Sequence, residues 1–277
     1  MKENDSNIIA ITNQKGGVGK TTTAVNLAAS LVASKRRVLL IDLDPQGNAT
    51  MGSGIDKYEL NTSINELLLG EVDIKTVLQI VEPAGFAMLP ANRDLTAAAI
   101  GLLESEEKQS RLRNVLQPIL NDYDYIIIDC PPTLNMLTLN ALTAANGVLI
   151  PMQCEYFSLE GLSSLLETIE QLQQTVNPNL KIEGILRTMY DPRNRLTNDI
   201  NKQLHQHFAE KVYRTVIPRN VRLAEAPSFG KPILHYEKNS QGASAYLALA
   251  GEIIRRDELQ TTVLQEQPVW QATNNAV

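Results

Sequence analysis

The run Asn13-Gln14-Lys15-Gly16-Gly17-Val18-Gly19-Lys20-Thr21-Thr22 carries the residue types that hold a polyphosphate. Glycines let successive backbone N–H groups turn inward around phosphate oxygens, and a helix starting at the end of the run adds the partial positive charge of its N-terminus. In such a cradle Gly16, Gly17, Val18, Gly19 and Thr22 form the wall, Lys20 reaches the β- and γ-phosphates, and the Thr21 hydroxyl ligates Mg2+. The spacing departs from the common G-x-x-x-x-G-K-[ST] pattern: Gln14 stands where that pattern has glycine, and a further lysine, Lys15, follows it. Two carboxylate segments accompany the loop. Tyr125-Ile126-Ile127-Ile128-Asp129-Cys130-Pro131-Pro132 closes an apolar run on an aspartate, an arrangement that holds Mg2+ through its water shell. Val38-Leu39-Leu40-Ile41-Asp42-Leu43-Asp44-Pro45 carries two, of which Asp42 is expected to support the magnesium shell; both aspartates also fit simple caps of the turn before Pro45.

These side chains need strands that end together. Apolar runs recur at 8–11, 38–41, 86–89, 125–128, 148–150 and 182–186, and each reads as a buried strand. Helical periods lie between them: Ala24, Leu27, Ala28 and Leu31, then Leu159, Leu162, Leu166 and Ile169, and finally Tyr246, Leu249, Ala250 and Ile253. Alternation of strand and helix predicts an α/β fold, a single-domain P-loop NTPase with a mostly parallel central sheet flanked by helices on both faces. The ATPase domain is expected over residues 1–259. The polar segment 260–277, with its one tryptophan, Trp270, reads as a mobile tail. A chain of 277 residues, 43% hydrophobic, can bury one large core. No run approaches a membrane span, and Lys2-Glu3-Asn4-Asp5 opens the chain without the apolar core of a signal peptide, so a cytoplasmic location is expected. Cys130 and Cys154 have neither zinc-site nor disulfide-framework spacing and read as buried thiols. A net charge of −6 excludes a generally basic coat but leaves room for a local arginine patch.

Lys15 in its setting resembles the deviant Walker A motif of the ParA/MinD/nitrogenase-iron-protein group, and the resemblance extends over residues 7–255. Asp44-Pro45-Gln46-Gly47-Asn48-Ala49-Thr50, Gln153-Cys154-Glu155-Tyr156-Phe157-Ser158-Leu159-Glu160-Gly161-Leu162 and Ala224-Glu225-Ala226-Pro227-Ser228-Phe229-Gly230 are similar to the chromosomal ParA/Soj branch in particular. The resemblance implies a slow ATPase using ATP and Mg2+. Lys15 would reach across a dimer interface to the partner's nucleotide, supplying charge only when the dimer is closed. Asp44 would position or activate the attacking water, which makes Lys15, Lys20 and Asp44 the expected catalytic set. With no Asn-Lys-x-Asp signature for guanine, the base is expected to be adenine, lying under Ile217-Pro218-Arg219-Asn220 with Pro218 on the ring and Asn220 nearby. The implied partners are a second copy of the chain, double-stranded DNA bound without sequence preference, and a ParB-type centromere-binding protein that stimulates hydrolysis. The implied location is on the nucleoid. DNA contacts need cations, and the family likeness selects Arg193 and Arg222 from two arginine-dense loops.

Rival readings fit less well. A MinD-like, membrane-recruited ATPase should close on a basic amphipathic segment, whereas Arg255-Arg256 is followed by Asp257-Glu258 and polar residues. An iron–sulfur carrier would need interface cysteines, and neither cysteine is suitably placed. A nucleoid-riding ATPase that positions a protein cargo would share every motif above. The chain begins almost directly at its first strand, so operator binding through an N-terminal helix-turn-helix is not expected.

Overall fold

The computed structural model describes residues 6–266, with side chains through 259. Eight strands form one sheet: β1 (Asn7–Ile11), β2 (Val38–Asp42), β3 (Gln79–Val81), β4 (Phe86–Leu89), β5 (Tyr125–Asp129), β6 (Gly147–Gln153), β7 (Lys181–Tyr190) and β8 (Val212–Pro218). Their order is β3-β4-β2-β5-β1-β6-β7-β8, and every neighbouring pair is parallel except β3 with β4. The helices are α1 (Lys20–Ala33), α2 (Asn48–Gly52), α3 (Ile64–Leu69), α4 (Ile74–Val77), α5 (Leu95–Glu104), α6 (Arg111–Leu116), α7 (Met136–Ala144), α8 (Ser158–Thr175), α9 (Arg195–Phe208), α10 (Val221–Glu225), α11 (Ile233–Tyr236) and α12 (Gln241–Glu266).

The central strands are apolar at every position because both sheet faces are covered. Ile8, Ala10, Leu39, Ile41, Ile126 and Ile128 point into a core closed by α3 and α5 to α9. Their neighbours Ile9, Ile11, Leu40 and Ile127 point the other way, into a core closed by α1, α11 and α12. The period-3.6 faces behave as expected. Ala24, Leu27, Ala28 and Leu31 of α1 are fully buried, as are Tyr246, Leu249, Ala250 and Ile253 of α12, and the two helices pack on each other. In α8 the buried line runs through Leu162, Leu165, Ile169 and Leu172, leaving Leu159 and Leu166 at its margin.

Two strands, β3 and β8, were not legible as apolar runs. The first is a three-residue antiparallel edge. The second has its apolar residues interrupted by Arg214 and Thr215 because it closes the opposite edge, with Tyr213 and Ile217 buried and Arg214 exposed. The backbone of α12 continues to Glu266, inside the segment read as a tail, and residues 267–277, with Trp270, lie outside the described residues. Among the described residues no helix is long and apolar enough to cross a membrane.

Candidate functional site

Register gathers the carboxylates. Ile11 is level with Asp129 across β1 and β5, and Asp129 is level with Asp42 across β5 and β2. The strand order changes direction at β1, and the carboxyl edge at such a point opens into a crevice. The loop after β1 fills it and leads straight into α1.

That loop is tied down from both sides. The Asn13 side chain donates to Pro151 O (2.8 Å) and accepts from the Lys15 N–H (2.9 Å). The Thr188 hydroxyl on β7 donates to Val18 O (2.8 Å). Gly17 and Gly19 adopt φ of 74° and 89°, a left-handed backbone that side-chain-bearing residues rarely take. A β-carbon on Gly16 or Gly17 would meet nothing within 4 Å, so the loop faces open space. The Lys20 ammonium, largely buried, donates to Lys15 O at 3.1 Å, closing the loop on itself. Burial lowers the pKa of Lys20, and the charges of Asp129, Cys130 and Asp44 oppose that shift.

Beneath the loop lie two buried carboxylates in different circumstances. Asp42 accepts from Asp44 N (3.2 Å), Thr50 N (2.8 Å) and the Thr50 hydroxyl (2.7 Å), so it anchors the turn and the start of α2. Both oxygens of Asp129 are buried without a hydrogen-bond partner among the described residues. Burial, and then the Asp42 charge, push the Asp129 carboxyl well above the ordinary carboxylate range, with the nearby Thr21 hydroxyl opposing. An orphaned carboxylate under a phosphate loop has the donor chemistry of a hard cation site, and Mg2+ fits it. No cluster of three or more His, Cys, Asp or Glu residues able to hold a metal occurs among the described residues, as expected where phosphate and water supply most ligands. Asp44 accepts from Gln46 N at 2.9 Å through one oxygen, and it lines the cleft.

The cleft has a volume of about 520 Å³. Gly16, Gly17, Gly19, Lys20, Thr21 and Thr22 line one end with Asp44, and Ile217, Pro218, Arg219 and Asn220 line the other. Asn220 caps α10, accepting from Leu223 N at 3.2 Å. Sequence reasoning missed Thr188, Met189, Leu223 and Tyr246, and it gave no site role to Gln46, Asn48, Pro132 and Ala224, which also line the walls. The signal for Thr188 lay in the length of β7, whose apolar run stops short of its true end. Next to the site the backbones of 51–54 and 227–231 touch: a β-carbon on Gly230, at φ 60°, would lie 2.7 Å from Gly54 Cα.

The Val18 side chain is buried and does not line the cleft, and three further expected residues lie away from it. The Lys15 amine turns outward to Glu155 (2.5 Å). Arg193 forms a two-point pair with Asp191 (2.9 and 2.7 Å). Arg222 pairs with Glu225 at 2.8 Å, and the Tyr236 hydroxyl donates to the same carboxylate oxygen. Both cysteines are free and buried; burial raises each thiol's pKa, that of Cys154 to about 11, which makes them unreactive.

An AAA domain family model matches residues 6–182. The chain is 51% identical over 250 residues to the chromosome partitioning protein ParA of Myxococcus xanthus, covering 90% of this chain and 88% of that one. It is 50% identical over 246 residues to the sporulation initiation inhibitor protein Soj of Bacillus subtilis, covering 89% and 97%. A solved structure of cobyrinic acid a,c-diamide synthase from Mycobacterium smegmatis, with bound ADP and magnesium, superposes with a TM-score of 0.81 at 38% identity, covering 91% of this chain and 96% of that one.

Proposed function

The chain belongs to the ParA/Soj family of partitioning ATPases, with ATP and Mg2+ as its cofactors, and on that premise we propose that it works as an ATP-switched dimer that rides DNA. In this reading Gly16 to Thr22 cradle the phosphates. Lys20 is drawn from Lys15 O to the β- and γ-oxygens, a short step for an ammonium already at the loop's centre. Asp129 and Thr21 would hold the magnesium shell, and the ion would supply charge neutralisation at the transferred phosphoryl group. Asp42 acts on that shell at one remove, through the turn it anchors. Asp44, which lines the cleft, takes the attacking water. Pro218 packs on the adenine while Asn220, its carbonyl engaged by the helix cap, presents its amide to the base edge.

The observation that carries the reading is the direction of Lys15. A lysine within the phosphate loop whose amine leaves its own cradle for the surface is suited to a neighbour's phosphates. Closure of two copies would bring Arg193 and Arg222 of each onto one face, so that DNA affinity rises steeply with the ATP-bound dimer. Hydrolysis, stimulated by a ParB-type partner, would release it on the nucleoid.

The test is binding of Asp44→Ala to random-sequence duplex DNA, with ATP and with ADP, across a salt series. Tight, salt-sensitive binding with ATP alone is expected; binding in neither state overturns the DNA-riding switch. Lys20→Ala should lose nucleotide binding, and Lys15→Ala should keep it while losing ATP-dependent association.

A further inference from the structure

We propose that Glu155 is a positioning residue for this ATPase: it holds Lys15 in the unassociated protomer, so that ATP must draw the amine off Glu155 before two copies can close. The proposal rests on the association reading given above and concerns what restrains it.

The strand order places β1 between β5 and β6, so the loop bearing Lys15 and the turn bearing Glu155 are neighbours at the carboxyl edge of the sheet. Both backbones are fixed. The Lys15 N–H donates to Asn13 Oδ1, and its carbonyl accepts from Lys20. The Glu155 N–H donates to Gln153 O (2.9 Å), and its carbonyl accepts from Ser158 N (3.0 Å) where α8 begins. In the nucleotide-free chain the two side chains meet at 2.5 Å, and when Lys20 leaves Lys15 O for the phosphates the Lys15 backbone keeps its tie to Asn13. An ammonium held on a carboxylate is not free to lie along a second protomer's phosphates, so association requires an exchange of one anionic partner for another. The side chains are 39% and 51% exposed, and a pair so open to water sets a bias and not a lock, on the order of two- to fivefold in the equilibrium. A bias of that size suits a switch that must close at cellular ATP yet open again after one turnover.

Sedimentation across an ATP series tests this with wild type, Glu155→Gln and Glu155→Asp, alongside the rate at which an N-hydroxysuccinimide acetate labels the Lys15 amine in nucleotide-free protein. Glu155→Gln is expected to lower the ATP concentration at half-association about two- to fivefold and to speed Lys15 labelling by a similar factor. Glu155→Asp, which keeps the charge on a shorter stem, should fall between, and high salt should shrink all the differences. ADP binding to the monomer should not change. If wild type associates and Glu155→Gln shows the same or a higher threshold, or Lys15 labels no faster, this proposal is overturned alone. A wild type that stays monomeric at saturating ATP overturns the association reading and this proposal with it.

Discussion

Asp129 and Asp42 sit side by side, both fully buried, yet Asp42 accepts from three chain donors while Asp129 has only the Thr21 hydroxyl and the Lys20 charge nearby, neither at hydrogen-bond geometry. A buried carboxylate so poorly compensated costs stability, and its persistence fits the proposed magnesium role. Replacing Asp129 with asparagine keeps the shape and removes the charge. The nucleotide-free protein should then gain about 1–2 kcal/mol of unfolding stability by denaturant titration while magnesium-dependent hydrolysis is lost; unchanged or lowered stability would show that the native carboxylate is not strained. The arginines carry the opposite lesson. Arg193 and Arg222 are each held by a carboxylate of their own chain, Asp191 and Glu225, and the hydrogen bond from Arg193 keeps the Asp191 carboxyl down to about 2. Phosphate must compete with these partners. Asp191→Asn with Glu225→Gln should therefore tighten duplex binding in the ATP state several-fold and steepen its salt dependence. Equal affinity in wild type and variant would place the DNA contacts elsewhere.

At the scale of elements, how legible each part was depended on how local its signal is. The glycine-rich loop was readable because a left-handed backbone at Gly17 and Gly19 requires particular residue types at those positions. The central strands were readable because two covered faces force unbroken apolar runs. Edge strands carry no such run, so β3 and β8 were missed, though the end of β8 was placed over the base by family likeness. Thr188, Met189 and Tyr246 reach the cleft only through tertiary packing, which leaves no mark in a short window. The same is true of the charges between β7 and α12. Glu252 accepts from Arg214 N, Thr215 N and the Thr215 hydroxyl; burial raises its pKa, but these bonds and Arg256 outweigh it and hold it below 4.5. Glu183, buried with one oxygen that has no hydrogen bond and only a 3.9 Å ion pair to Lys181, is shifted upward by burial and then by Asp257, against Lys181, Arg256 and Lys211. A folded pKa above the unfolded value means that Glu183 favours folding in acid and that this is lost as pH rises through the folded value. Glu183→Gln should accordingly stabilise the protein at neutral pH by about 0.5–2 kcal/mol, with the gain vanishing as pH falls below 4.5. A gain independent of pH would assign the effect to packing instead.

For the whole molecule, the proposed switch asks a chain of net charge −6 to bring two copies together and then hold a polyanion, and uniform electrostatics oppose both steps. Something short-ranged has to favour closure. Tyr156 and Phe157 directly follow Glu155, stack edge to face with ring centres 5.1 Å apart, and remain 73% and 70% exposed. Leu134, also exposed, lies on the loop after β5, so apolar side chains flank the Lys15 loop on both sides. Water-exposed aromatics beside a charged centre have the make-up of an interface hot spot, and in a two-fold dimer each such patch is used twice. Tyr156→Ser with Phe157→Ser should therefore weaken ATP-dependent association by at least about 2 kcal/mol, roughly thirtyfold in Kd, with nucleotide binding by the monomer intact because neither ring lines the cleft. Loss of association should carry DNA binding with it, since in the proposed dimer the arginines would act as a doubled set. If the double variant sediments as wild type does across the ATP series, the apolar contact that closes the dimer lies on another face, and Lys15 must reach its partner's phosphates without these rings beside it.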